Sequence, residues 1–257
     1  MKATLFSKFL SLAAAVLCCV SCGGSSTSDS GLSEPSMPET AGLEQSVKLA
    51  PCDVEATAPE KSGIQYASNT LSSGGEPIIN SHEYVDLGLS VKWATCNVGA
   101  SCPEGYGGHY AWGETSTKSS YAADNSKTYG KKLSDIGGNS IYDVVRKEWG
   151  PSWRLPTKAE FDELFNENNC IWECATQNGV NGYRVTSKKN GNSIFLPAAG
   201  WRYGTSLDSQ GTDGSYWSST PDESNSNLAC SCYFGVAGRS VSMNARSLGL
   251  SVRPVSE

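Results

Sequence analysis

An α+β domain of small antiparallel sheets, one or two helices and long ordered loops is the fold class this 257-residue sequence predicts. Three observations carry that prediction. Pro156-Thr157-Lys158-Ala159-Glu160 is a capping box, with Thr157 as N-cap and Glu160 three residues on, ahead of Phe161, Leu164 and Phe165 at helical spacing. Between 171 and 196, short β-rich runs alternate with Asn-Gly turn signals. Residues 200–255 hold twelve serines, seven glycines, six aromatics and no lysine, a composition that disfavours a long helix and suits short strands carrying long, irregular loops.

Taken in order, the chain begins with a segment that reads as export signal. Lys2 and Lys8 precede an apolar run of twelve, Phe9 to Val20, too short to span about 30 Å of hydrocarbon. Residues 1–21 are therefore expected to be a signal peptide. The run closes on Val20-Ser21-Cys22-Gly23-Gly24, which resembles a bacterial lipobox, although Cys19 stands where leucine is usual, and Cys18 and Cys19 are alternative acceptors. Lipidation at Cys22 implies a palmitate-type anchor and an outer-membrane lipoprotein facing the cell surface or the periplasm. Residues 22–79, with five of the eleven prolines and Tyr66 as their one aromatic, read as the lipidated N-terminus and a disordered linker.

The folded domain is expected over 80–257, since all seven tryptophans lie between Trp93 and Trp217. Val85, Leu87, Leu89, Val91 and Trp93 alternate strictly, the period of one half-buried strand interrupted by a turn or bulge at Gly88. A helical turn is expected over Ile141 to Trp149, and the capped helix over 158–167. Strands follow at Ile171 to Thr176, Tyr183 to Ser187 and Ser193 to Leu196, separated by Gln177-Asn178-Gly179 and Lys189-Asn190-Gly191. The formal charge of -6, without a basic stripe, argues against a nucleic-acid partner.

Five motifs in order then carry a resemblance: Tyr84 to Gly99 (YVDLGLSVKWATCNVG), Tyr110-Ala-Trp-Gly-Glu114, Trp153-Arg-Leu-Pro-Thr157, Phe195-Leu-Pro-Ala-Ala-Gly200 and Tyr216-Trp-Ser-Ser219. Together they resemble the Fibrobacter succinogenes major paralogous domain family, which is similar to C-type lectin-like and formylglycine-generating-enzyme folds. That resemblance implies a C-type lectin-like domain with neighbouring termini and an exposed binding face over 200–250. On that face fall Trp201, Tyr203, Asp208, Asp213, Tyr216, Arg239, Ser242, Asn244 and Arg246. Aromatics stack and arginines fork their hydrogen bonds, as in recognition surfaces. Trp201, Trp217, Phe234 and Tyr203 have a competing reading as core. The sugar-and-calcium signatures Glu-Pro-Asn, Gln-Pro-Asp and Trp-Asn-Asp are absent from the sequence.

Residues 201–248 also resemble the variable region of proteins rewritten by diversity-generating retroelements, whose codons yield Asn, Ser, Asp, Gly, Tyr and Cys. Cys230 and Cys232 fit that pattern and join the candidate ligand-binding set. An ordinary Ser/Asn-rich loop is the plainer reading. The expectation is a monomeric adhesin-like or receptor-like lipoprotein that binds a glycan, peptide or cell-surface partner, without cofactor, metal or enzymatic activity. Two alternatives stand beside it: a fimbria-associated structural subunit pairing strands through sheet edges, and a copper oxidase of the formylglycine-generating kind using Cys230 and Cys232. The oxidase's thiols are separated by four residues, whereas these are separated by one, and neither His82 nor His109 lies in a recognisable motif. Among the domain's cysteines, Cys96 and Cys102 bracket a loop they could close, while Cys230 and Cys232 are expected not to bond each other.

Overall fold

The computed structural model describes Ile78, Ile79 and residues 82–257. The signal peptide, Cys22 and nearly all of the expected linker lie outside the described residues. The described chain runs β1 (Ile78–Ile79), β2 (His82–Val85), β3 (Lys92–Ala94), α1 (Val144–Trp149), β4 (Trp153–Arg154), α2 (Lys158–Phe165), β5 (Cys170–Gln177), β6 (Val180–Ser187) and β7 (Ser193–Pro197). It continues through β8 (Trp201–Tyr203), β9 (Ser206–Asp208), β10 (Gly214–Pro221), β11 (Leu228–Gly235), β12 (Gly238–Ala245) and β13 (Val255–Ser256). Small antiparallel sheets with two helices make this an α+β fold. A five-stranded sheet has the order β1-β2-β3-β13-β4, so the chain's last strand is inserted among its first. Three-stranded sheets β5-β6-β7 and β10-β11-β12 and the β8-β9 hairpin complete it.

The two helices form where their caps dictate. Thr157 Oγ1 accepts from the Glu160 N–H and Glu160 returns the bond to the Thr157 N–H, closing the expected box. The helix ends at Phe165, two residues before the expected limit, because Asn166 turns out of helical geometry. α1 begins at Val144 rather than 141, since Asp143 caps it: its carboxylate accepts from Val145, Arg146, Gly138 and Leu155 N–H groups.

Two expectations need correction. The single strand over 85–93 is instead two paired strands, β2 and β3, joined by a bend. Gly88 sits at φ 66° and donates its N–H to Asp86 Oδ1, while Leu87 and Val91 reach the core from loop backbone. Alternating burial therefore arose without a continuous strand. The long irregular loops expected after residue 200 are in good part three eight-residue strands, β10, β11 and β12. Serine is tolerated there because its hydroxyl is absorbed by the ladder, as where Ser218 Oγ donates to Cys230 O at 2.8 Å.

Two hydrophobic clusters meet at β10. Trp93, Phe161, Trp172, Tyr183 and Phe234 fill the first, with α2 over one side, while Trp112, Val145, Trp153, Leu250 and Val252 fill the second. The motifs quoted above are mostly interior: Trp93, Trp112, Trp153 and Trp217 are all at most 1% exposed. Between them lies Arg253, fully buried, which donates to Asn97 Oδ1 and to the carbonyls of Ala94, Thr95 and Phe195. No carboxylate is among those partners; main-chain dipoles and one amide hold the cation.

Candidate functional site

The eleven expected ligand-binding residues separate by burial. Tyr216, Cys230 and Cys232 are wholly buried and Arg246 is 1% exposed, so these four are corrected from surface to interior. Period-two geometry explains the first three, because β10 and β11 bury both of their faces. Arg246 turns inward beside Trp112, its guanidinium 4.2 Å from the ring centroid and bonded to the carbonyls of Leu228, Thr128 and Lys131. Asp213, 8% exposed, is likewise corrected from surface to interior, its carboxylate taken up by Tyr233.

Among the remaining six, Trp201, Tyr203 and Asp208 belong to the β8-β9 hairpin. Trp201 pairs with Asp208 across it and leans on the second cluster, whereas Tyr203, near the tip, is 51% exposed. Gly200 anchors the hairpin base at φ 67°, donating its N–H to the Asp213 carbonyl. A Cβ at that position would stand 2.1 Å from the Asp208 carbonyl oxygen, so only glycine fits.

The other three lie on β12, and alternation splits them. Ser242 and Asn244 share a face with Ser240, while Arg239 lies on the opposite face over Trp172, bonded to Glu167 at 3.1 Å. Register places Tyr233 opposite Ser240 and Ser231 opposite Ser242. Asn244 Nδ2 donates to Ser231 Oγ at 2.7 Å, which ties the two strands together by side chains as well as backbone. Tyr233 donates to Asp213 Oδ1 at 3.2 Å. Burial and the neighbouring Asp213 carboxylate push the Tyr233 phenol up to about 12, so it remains a protonated donor at ordinary pH.

Asp213 thus links the two parts: its carbonyl holds the hairpin base and its carboxylate holds Tyr233 of the sheet. The result is a polar face of Tyr233, Ser240, Ser242 and Asn244 on rigid strands, with the hairpin rooted at one end. Tyr233 and Ser240 were missed by sequence reasoning. The signal was present in Gly-Arg-Ser-Val-Ser-Met-Asn-Ala, where serine, serine and asparagine alternate with arginine, valine and methionine.

Such a face offers neutral hydrogen bonding and one phenol, suited to sugar hydroxyls or peptide amides. Ser231 Oγ is engaged with Asn244 and the Ser242 carbonyl rather than with a base. Cys230 and Cys232 are free, wholly buried thiols, and burial raises the pKa of both, that of Cys232 well above the usual value. Among the described residues no group of three His, Cys, Asp or Glu side chains gathers at metal-binding distance. A separate shallow pocket of about 50 Å³ lies between the β5-β6-β7 sheet and the 95–103 segment, lined by Thr95, Pro103, Arg184, Ser193 and Phe195. None of the expected residues lines it.

Cys96 and Cys102 are free, so the loop they bracket is not closed by a bridge; Cys174 is disulfide-bonded. No curated protein and no solved structure matches the chain. Residues 171–255, from β5 to the first residue of β13, match the family model described as a domain of unknown function (DUF8237), and both the polar face and the hairpin fall inside that stretch.

Proposed function

We propose that this chain is a surface-anchored lipoprotein whose C-type lectin-like domain binds a glycan, peptide or cell-surface partner through the β8-β9 hairpin and the β11-β12 face. The observation that carries the reading is a pairing of rigidity with polarity. Ser240, Ser242 and Asn244 line one side of an eight-residue strand in unbroken register, whose other side packs on the first cluster through Val241. A preorganised polar face binds with little ordering cost. Lipidation at Cys22 would present it at the outer membrane, and the retroelement reading would explain why Ser240, Ser242 and Asn244 fall together on one side of β12.

The test is a glycan and peptide array probed with the full chain, with and without calcium, followed by Tyr203→Ala and Ser242→Arg. Saturable binding to one ligand class, weakened at least tenfold by either substitution at unchanged melting temperature, is the expected result. Equal binding by wild type and both variants would place recognition elsewhere. Mass measurement of the mature N-terminus, or metabolic labelling with palmitate, checks the anchor independently. A near-copy of the gene's 3′ end with adenines at the variable codons, beside a reverse transcriptase, checks diversification.

A further inference from the structure

The β5-β6-β7 sheet buries one face and partly covers the other. Tyr183, Val185, Ile194 and Leu196 belong to the first cluster, so alternation puts Glu173, Arg184 and Phe195, which register sets side by side across the three strands, on the opposite face. The segment from Thr95 to Pro103 lies against that face and is fastened at its end. There the Glu104 carboxylate accepts from Gln177 Nε2 at 3.3 Å and from Asn178 Nδ2 at 2.6 Å. The pocket of about 50 Å³ lies between, with Thr95 and Pro103 on the loop side and Gln177, Arg184, Ser193 and Phe195 on the sheet side. The Phe195 ring lies over Gly182, where a Cβ would stand 2.8 Å from its Cζ, rather than over Arg184 directly opposite.

Two cations border this pocket and neither meets a carboxylate. Among the described residues the part-buried Arg184 guanidinium has no hydrogen bond, ion pair or ring contact, and Glu173, its neighbour across the strand pair, stays beyond ion-pair distance. Acids are not scarce in the chain, which carries 26 of them against 20 basic residues, so the missing partner is a feature of this place. Arg253 lies behind the lining: the carbonyls of Thr95 and Phe195 both accept from its guanidinium, which turns those acceptors away from the pocket. We propose that the pocket binds the carboxylate of a short organic acid, with Arg184 as its forked donor. Its volume leaves room for about three to five water-sized groups, the size of a carboxylate on a one- or two-carbon stem. Phe195 and Pro103 give that stem apolar walls, and Ser193, whose hydroxyl has no partner among the described residues, adds a second donor. A phosphate has no stem for those walls, and its second charge would find no second open cation, because Arg253 is sealed behind main chain. None of the eleven residues expected to bind ligand lines this pocket, so it stands whether or not the β11-β12 face binds anything.

The experiment is a ligand-observed NMR titration of the full chain at constant ionic strength with propionate, its uncharged isostere propionamide, inorganic phosphate, and N-acetylglutamic acid amide, whose side chain ends in the same carboxylate. Propionate is expected to bind saturably and at least tenfold more tightly than propionamide or phosphate. Arg184→Gln should weaken propionate at least tenfold at an unchanged or raised melting temperature, since it removes a cation that no side chain satisfies. Arg184→Lys, which keeps the charge and loses the fork, should fall between the two. Propionate bound with the capped glutamate excluded makes the ligand a free acid; both bound makes it the side chain of a peptide. Equal binding of propionate and propionamide would overturn the proposal, as would tighter binding of phosphate or no saturable binding of either carboxylate. So would an Arg184→Gln chain that binds propionate as wild type does, or one that unfolds, because a collapse would give the guanidinium a structural role instead.

Discussion

Tyr216 and Trp217 are adjacent in sequence and belong to different hydrophobic clusters. The Tyr216 ring stacks on Phe234 in the first, 5.6 Å between centroids, and its hydroxyl donates to Pro197 O at 2.6 Å. Trp217 points the other way and donates from Nε1 to Tyr110 O at 2.8 Å in the second. β10 is therefore the wall that both clusters share. Tyr216→Phe leaves a buried carbonyl short of one partner and is expected to cost about 1–2 kcal/mol. Trp217→Ala opens a cavity and should cost about 3–5 kcal/mol. Urea unfolding followed by both tryptophan fluorescence and circular dichroism should give coincident transitions in each variant; separate transitions would mean the clusters unfold independently.

Arg246 makes a second test of where the interior begins. Its forked donors satisfy Leu228, Thr128 and Lys131 carbonyls while the guanidinium plane covers Trp112. Arg246→Ala should destabilise by about 2–4 kcal/mol through unsatisfied carbonyls and lost stacking. Arg246→Lys should recover little of this, because a point ammonium cannot fork to three acceptors and stack at once. A melting temperature unchanged by Arg246→Ala would return this residue to the surface set.

Thiol chemistry separates the cysteines in the same way. Cys96 and Cys102 are partly exposed, whereas Cys170, Cys230 and Cys232 are buried. Burial pushes the Cys170 thiol up to about 11 and raises Cys230 and Cys232 as well. Iodoacetamide at pH 8 should label Cys102 and Cys96 in the native chain, and the other three only in denaturant. Peptide mapping that finds Cys230 labelled in the native state would show that β11 opens locally.

How far the sequence announces this arrangement depends on the kind of signal. The α2 cap was legible because it is local: Thr157 and Glu160 answer each other within one turn. The β5-β6 turn was legible for the same reason, with Asn178 at φ 48° and Gly179 at φ 81°. By contrast, Leu87 and Val91 imitate a strand because burial alternates along a bend, and nothing local reveals that Glu163, far along the chain, accepts the Ser90 N–H. Arg246 and Tyr216 looked like surface residues by type, and only long-range carbonyl partners draw them inward. Ser242 and Asn244 remain part-exposed because β12 is the outermost strand of its sheet, whereas Ser231 and Ala229, opposite them on β11, are wholly buried. The hydroxyl-rich composition suggested loops, yet a serine-bearing strand is stable when its neighbours supply the ladder.

The Arg154-Glu160 pair gives a pH dependence with a definite sign. Burial opposes ionisation of Glu160, but the Arg154 guanidinium, at 2.6 and 2.9 Å, and the Thr157 N–H, at 2.7 Å, outweigh it and hold the carboxyl below the usual glutamate range. A group whose folded pKa is depressed binds its proton more readily in the unfolded chain, so its contribution is fully present above the unfolded value, about 4.3 for glutamate. That contribution is lost as pH falls through the lower, folded value. Glu160→Gln keeps the shape but loses the charge-assisted bonds and should cost about 1–3 kcal/mol at pH 7. The difference between wild type and Glu160→Gln in urea midpoints should therefore shrink as pH is lowered from 7 to 3, while Asp162→Asn, an exposed neighbour on the same helix, shows little change. A difference that stays constant across that interval would mean that packing of the side chain, and not its charge, is what the helix start requires.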